Sequence, residues 1–106
     1  MKILTIMSNP ENVMLVSVVS IWEIAMKLNR NIGVIDYDIE SLYDTIQCGN
    51  SKILPLEKEH FMVYQFLEQK HKDPFDRLLI STAKAENIPL LTSDKNIQKY
   101  DVEWIW

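Results

Sequence analysis

Cysteine, glycine and long apolar runs are scarce in this chain of 106 residues, and each shortage removes a class of answer. The single cysteine, Cys48, leaves no internal disulfide and no cysteine-built zinc site, which suits a reducing compartment, and it reads as a packing residue. Two glycines provide no flexible linker, and with no internal repeat or low-complexity stretch the chain reads as one domain over residues 1–106. The longest apolar stretch, Val13 to Trp22, is broken by Ser17 and Ser20 and reaches half the ~20 residues that a membrane span needs. Met1 to Met7 carries one lysine and no small-residue cleavage site, so no secretion signal is expected and a cytoplasmic location is. Positive charge is short as well. With 11 Lys and Arg against 15 Asp and Glu, the formal net charge of −4 excludes a broad basic surface for duplex binding and restricts any nucleic-acid contact to a local patch. The two histidines, His60 and His71, lack a metal-ligand spacing to each other and receive no catalytic role. Trp22, Trp104 and Trp106 read as core or interface residues rather than base-stacking platforms.

What remains is an ordinary globular composition, 47% hydrophobic and 25% charged, with a clear alternation of periods. Leu15 to Val19 is a β-branched run of strand length, followed by Ser20-Ile21-Trp22-Glu23, which matches a capping box and predicts a helix from Ser20 to about Asn31. Ile39, Leu42, Tyr43 and Ile46 predict a second helix from Asp38 to the Gly49-Asn50 stop. Ile53 to Leu56 predicts a strand and Lys58 to Gln69 a helix. Asp73-Pro74 is a strong helix start, with aspartate as cap and proline at the first position, and that helix is expected to end near Asn87. Leu90 to Thr92 predicts a strand, Ser93-Asp94 the cap of a short helix through Lys99, and Val102 to Trp106 a last strand. Short connections between such elements favour an α/β fold with a mostly parallel sheet and helices on both faces, whose ligands gather beyond the carboxyl ends of the strands.

Three carboxylates stand at such ends: Glu23 after the first strand, Asp76 at the start of a long helix and Asp94 just past the Leu90 strand. Hard divalent cations take oxygen ligands and bind phosphate diesters, so carboxylates meeting at one point have a chemical reason to do so. Each also has a purely structural reading. Glu23 fits the capping box with Ser20, Asp76 sits where a helix dipole favours negative charge, and Asp94 fits the cap of the following helix. Asp73 is read as a cap rather than a ligand.

The residues carry a resemblance. Val16-Ser17-Val18-Val19-Ser20-Ile21-Trp22-Glu23-Ile24-Ala25-Met26-Lys27 resembles the second conserved block of toxin-type PIN domains. Asp73-Pro74-Phe75-Asp76-Arg77-Leu78-Leu79-Ile80-Ser81-Thr82-Ala83 resembles the helix bearing the family's third acid, and Leu90-Leu91-Thr92-Ser93-Asp94 the strand end bearing its fourth. The closing Val102-Glu103-Trp104-Ile105-Trp106 is similar too, and the blocks fall in family order over nearly the whole chain.

A resemblance to PIN-domain ribonucleases of the toxin-antitoxin (VapC-like) type implies that Glu23, Asp76 and Asp94 are catalytic and hold Mg2+ or Mn2+. It implies single-stranded RNA as substrate, an antitoxin protein as partner and no membrane. Lys27 and Arg77, with Arg30, are expected to meet substrate phosphates, and Lys70-His71-Lys72 to form a rim patch.

The family opens with a strand ending in a first acid, and Met1 to Asn12 instead resembles the helix tail and loop that precede the second strand. The expected domain is therefore PIN-like but N-terminally truncated, its first strand missing. A homodimer, a strand-exchanged oligomer, or pairing of Lys2 to Met7 as a strand is expected to fill the place. The function expected is a metal-dependent endoribonuclease of a toxin-antitoxin system or a remnant of one; the alternative is a catalytically inactive PIN-like binding module.

Overall fold

A computed structural model describes residues 2–106. Met1, the first residue of the run expected to close a helix, lies outside them. The rest of that run forms helix α1 (Lys2–Ser8), so Lys2 to Met7 does not pair as a strand.

Strand β1 (Met14–Ser17) passes directly into helix α2 (Val18–Arg30). Ser17 stays extended and its Oγ accepts the Val19 N–H at 3.1 Å, which makes Ser17 the cap in place of Ser20. Val18 and Val19, expected to finish the strand, form the first helical turn instead. Their β-branching costs little in a helix, and Val19 gains almost complete burial there. The capping-box reading of Glu23 falls with this shift, since Glu23 lies in the second turn.

Helix α3 (Ile39–Cys48) starts and stops as its caps predict: Asp38 Oδ1 accepts the Ser41 N–H at 2.8 Å, and Gly49 ends it. Cys48, expected to pack, is exposed at its end. Strand β2 (Ser51–Leu54) and helix α4 (Lys58–Gln65) follow. Helix α4 stops short of the expected Gln69 because the chain turns at Phe66, and the Leu67 and Glu68 carbonyls then accept hydrogen bonds from the Arg77 guanidinium.

Helix α5 (Pro74–Glu86) is capped by Asp73, whose Oδ1 accepts the Phe75 N–H at 2.9 Å. It ends where Asn87 takes a left-handed conformation at φ 55° and ψ 48°, a geometry that asparagine tolerates. Strand β3 (Leu90–Leu91), helix α6 (Lys95–Gln98) and strand β4 (Trp104–Ile105) complete the chain.

Helix α5 packs against α2, α4 and α6, and its Ile80 joins Ile97 and Tyr100 in the core, with Leu67, Leu90 and Val102 around them. All pairing between these strands is parallel, as expected, but it forms two separate pairs. Strand β1 runs beside β2 with Met14 opposite Ser51 and Ser17 opposite Leu54; β3 runs beside β4 with Leu90 opposite Trp104. An apolar opening of about 610 Å³ lies where Leu15 and Val16 of β1, Leu90 and Leu91 of β3, and Leu79 and Ala83 of α5 meet. The tryptophans are not core residues: Trp22, Trp104 and Trp106 are exposed, and Trp22 lies edge-on to Phe75 with ring centroids 4.8 Å apart. Among the described residues no helix is long and apolar enough to cross a membrane.

Candidate metal centre

Two helix starts and one turn converge on a single point. Asp76 is the third residue of α5, set there by the Asp73 cap and Pro74 at the first helical position. Asp94 follows β3 by three residues and caps α6, its Oδ1 accepting the Asn96 N–H at 2.9 Å. His71 comes from the turn before α5, and its Nε2 donates to Asp76 Oδ2 at 3.0 Å. One ligand atom from each of His71, Asp76 and Asp94 lies within 4.8 Å of the other two. Donors on one ion with bonds of ~2.1 Å stand ~3.0 Å apart at adjacent corners and ~4.2 Å at opposite ones. His71 and Asp76 at 3.0 Å already match that spacing, and the widest pair, up to 4.8 Å apart, must draw in to share one small divalent cation. Because a carboxylate has two oxygens, capping a helix and holding an ion are compatible for Asp94.

The Asp76 and His71 side chains are only 16% and 21% exposed. Burial pushes the Asp76 carboxyl above its ordinary value; the bond from His71 opposes this, while the negative charges of Asp73 and Asp94 reinforce it. A cation placed between the groups removes the same penalty.

Glu23 is not in this group. It stands on α2 with Lys27 one turn on, and the two line a groove of about 440 Å³ shared with Arg30, Lys72 and Asp73. Lys72 and Asp73 lie between His71 and Asp76 in sequence, so the groove adjoins the cluster. Arg77, expected to meet phosphate, points inward instead. It is 5% exposed, and its Nη1 donates to the Glu68 carbonyl at 2.7 Å and to the Tyr100 hydroxyl at 3.2 Å. Its Nη2 reaches the Leu67 carbonyl at 3.4 Å, and its guanidinium lies 5.2 Å from the centre of the Tyr64 ring. Arg77 thereby clasps the turn that carries His71. The sequence placed His71 in a Lys70-His71-Lys72 rim patch and withheld a ligand role because it has no metal-ligand spacing to His60; the usable signal was its place five residues before Asp76.

A stretch of 44 residues, 42% of this chain, is 30% identical to 1-deoxy-D-xylulose 5-phosphate reductoisomerase of Allorhizobium ampelinum, where it spans 11% of that protein. So small a share carries no activity across. A family model described as PIN domain matches residues 1–103, and the helices and short parallel strands are consistent with it. The chain belongs to the PIN domain family, whose function is of the nuclease type.

Proposed function

We propose that this PIN domain is a metal-dependent endoribonuclease of the toxin-antitoxin type that cuts single-stranded RNA. The observation that carries the reading is the convergence of Asp76, Asp94 and His71 beside a groove bearing Lys27, Arg30 and Lys72. PIN domains are generally divalent-metal dependent, and the two aspartates offer the oxygen ligands that Mg2+ or Mn2+ takes. Such an ion, when bound, supplies positive charge to the phosphoryl oxygens and lowers the pKa of water.

The chain's own residues supply the rest. Asp76 and Asp94 hold the ion. Lys27, Arg30 and Lys72 draw the phosphodiester backbone along the groove, and their local arrangement is compatible with a net negative chain. Glu23, facing Lys27 across one helical turn, is assigned to the substrate side of the site, where it orients water or completes the ion's outer shell.

Exposed apolar residues Ile32, Val34, Ile35 and Tyr37 after α2 support a protein partner, in this reading an antitoxin. The opening between β1 and β3 supports a homodimer or strand-exchanged oligomer. A second reading, a PIN-like binding module without catalysis, draws on the position of Glu23 outside the cluster.

Cleavage of single-stranded RNA with Mn2+ decides between them. The enzyme reading expects activity that falls by at least ~100-fold in Asp76→Asn, the scale on which losing a preorganised charge acts. It also expects a several-fold rise in KM in Lys27→Ala, with kcat nearly unchanged. Metal binding without any cleavage in the wild type establishes the silent module.

A further inference from the structure

We infer that His71 is a direct ligand of the cation held by Asp76 and Asp94, which makes the site a mixed nitrogen and oxygen centre that selects Mn2+, Co2+ or Zn2+ over Mg2+. The inference rests on the metal-dependent reading above and deepens it. The imidazole is not a distant neighbour: its Nε2 stands 3.0 Å from Asp76 Oδ2, and it shares with both aspartates a spread of ligand atoms no wider than 4.8 Å. An ion drawn between them at bond lengths of ~2.0–2.2 Å meets the imidazole nitrogen as readily as the carboxylate oxygens. Without an ion, Nε2 donates to Asp76; with one, the same nitrogen turns its lone pair to the metal while the proton resides on Nδ1.

Its position is fixed from behind. The Arg77 guanidinium donates to the Glu68 carbonyl at 2.7 Å and the His71 carbonyl at 3.4 Å, and the Tyr100 hydroxyl accepts the Lys70 N–H at 3.1 Å. The turn is therefore tied down by a buried arginine and a buried tyrosine, the kind of support that keeps a ligand in place.

The donor set then determines the ion. Mg2+ prefers all-oxygen octahedral surroundings and keeps its waters, whereas imidazole suits the later divalent metals, whose affinity for such sites rises from Mn2+ through Co2+.

The test uses the full chain and the metals alone. Pulsed electron paramagnetic resonance of the Mn2+-loaded wild type is expected to show coupling to a directly bound nitrogen, a readout that needs no variant to fold. Calorimetry is expected to give tighter binding of Mn2+ and Co2+ than of Mg2+. The His71→Ala variant is expected to weaken Mn2+ and Co2+ binding by at least ~10-fold, to leave Mg2+ nearly unchanged and to lose the nitrogen coupling. Metal binding without nitrogen coupling, or an equal loss for Mg2+ and Mn2+ in His71→Ala, overturns the inference and leaves the metal-dependent reading standing. A wild type that binds no divalent ion overturns both.

Discussion

Asp76 pays for its position with a misplaced proton equilibrium. Its carboxyl is held above the ordinary value by burial, so the folded state keeps the proton longer than the unfolded chain does. The stability that Asp76 contributes is therefore greatest at acid pH and declines as pH rises through its folded value. Metal-free Asp76→Asn is accordingly expected to melt at or above the wild-type temperature at pH 7, with the difference closing as pH falls below the ordinary carboxylate range. Thermal scans in chelator across that window measure it. On the proposed ligand role of Asp76, added Mn2+ is expected to reverse the order, since an ion at 100 times its Kd would stabilise the wild type by about 2.7 kcal/mol and the variant would lack that ligand.

His60 makes the opposite case, a histidine whose whole role is packing. It is fully buried, its Nδ1 accepts the Glu57 N–H at 3.1 Å, and its Nε2 donates to Glu86 Oε1 at 2.7 Å, which fixes the tautomer and ties α4 to α5. Removing it in His60→Ala is expected to cost about 2–4 kcal/mol in urea unfolding with metal affinity unchanged. Asp73, Asp76 and Asp94 were legible because a cap and a first turn are local events. The position of His71 was not, because it depends on a turn bent by Arg77, nine residues from Glu68 and 23 from Tyr100.

The elements whose ends carry a cap were read closely. Asp38 and Gly49 bound α3, and Asp73 and Asn87 bound α5, at the expected places. The junction of β1 and α2 was misread for a physical reason: Ser17 and Ser20 both have a hydroxyl able to cap, and Val18 and Val19 favour a strand in isolation. Burial of Val19 and Ile21 against the rest of the fold decided for the earlier start. Substitution separates the two serines. Ser17→Ala is expected to lose about 1 kcal/mol, the usual value of a cap, while Ser20→Ala, inside the first turn, is expected to change stability by less than ~0.5 kcal/mol because alanine is the better helix former. A loss of about 1 kcal/mol at Ser20→Ala with little at Ser17→Ala would return the cap to the place the sequence alone suggested.

At the scale of the molecule, the α/β class and parallel pairing were legible from alternating periods, but the division into two strand pairs was not, since hydrophobic patterning does not report which edges meet. Backbone alternation shows what the division leaves open. The Met14 N–H bonds the Asn50 carbonyl at 3.1 Å, and the Leu90 and Thr92 N–H groups bond the Glu103 and Ile105 carbonyls at 2.9 and 3.1 Å. Successive residues of a strand point their backbone groups to opposite sides, so Leu15 and Leu91 turn theirs toward the opening between β1 and β3. Amide hydrogen exchange followed by NMR is expected to find Leu15 and Leu91 faster than Met14, Leu90 and Thr92 in dilute solution. On the proposal that a strand-exchanged second copy occupies that opening, raising the protein concentration is expected to slow these two amides and leave the other three unchanged. Leu15 and Leu91 already as slow as Met14 and Leu90 at the lowest concentration would mean that the opening is closed within one chain in solution, and the expectation of strand exchange would fall.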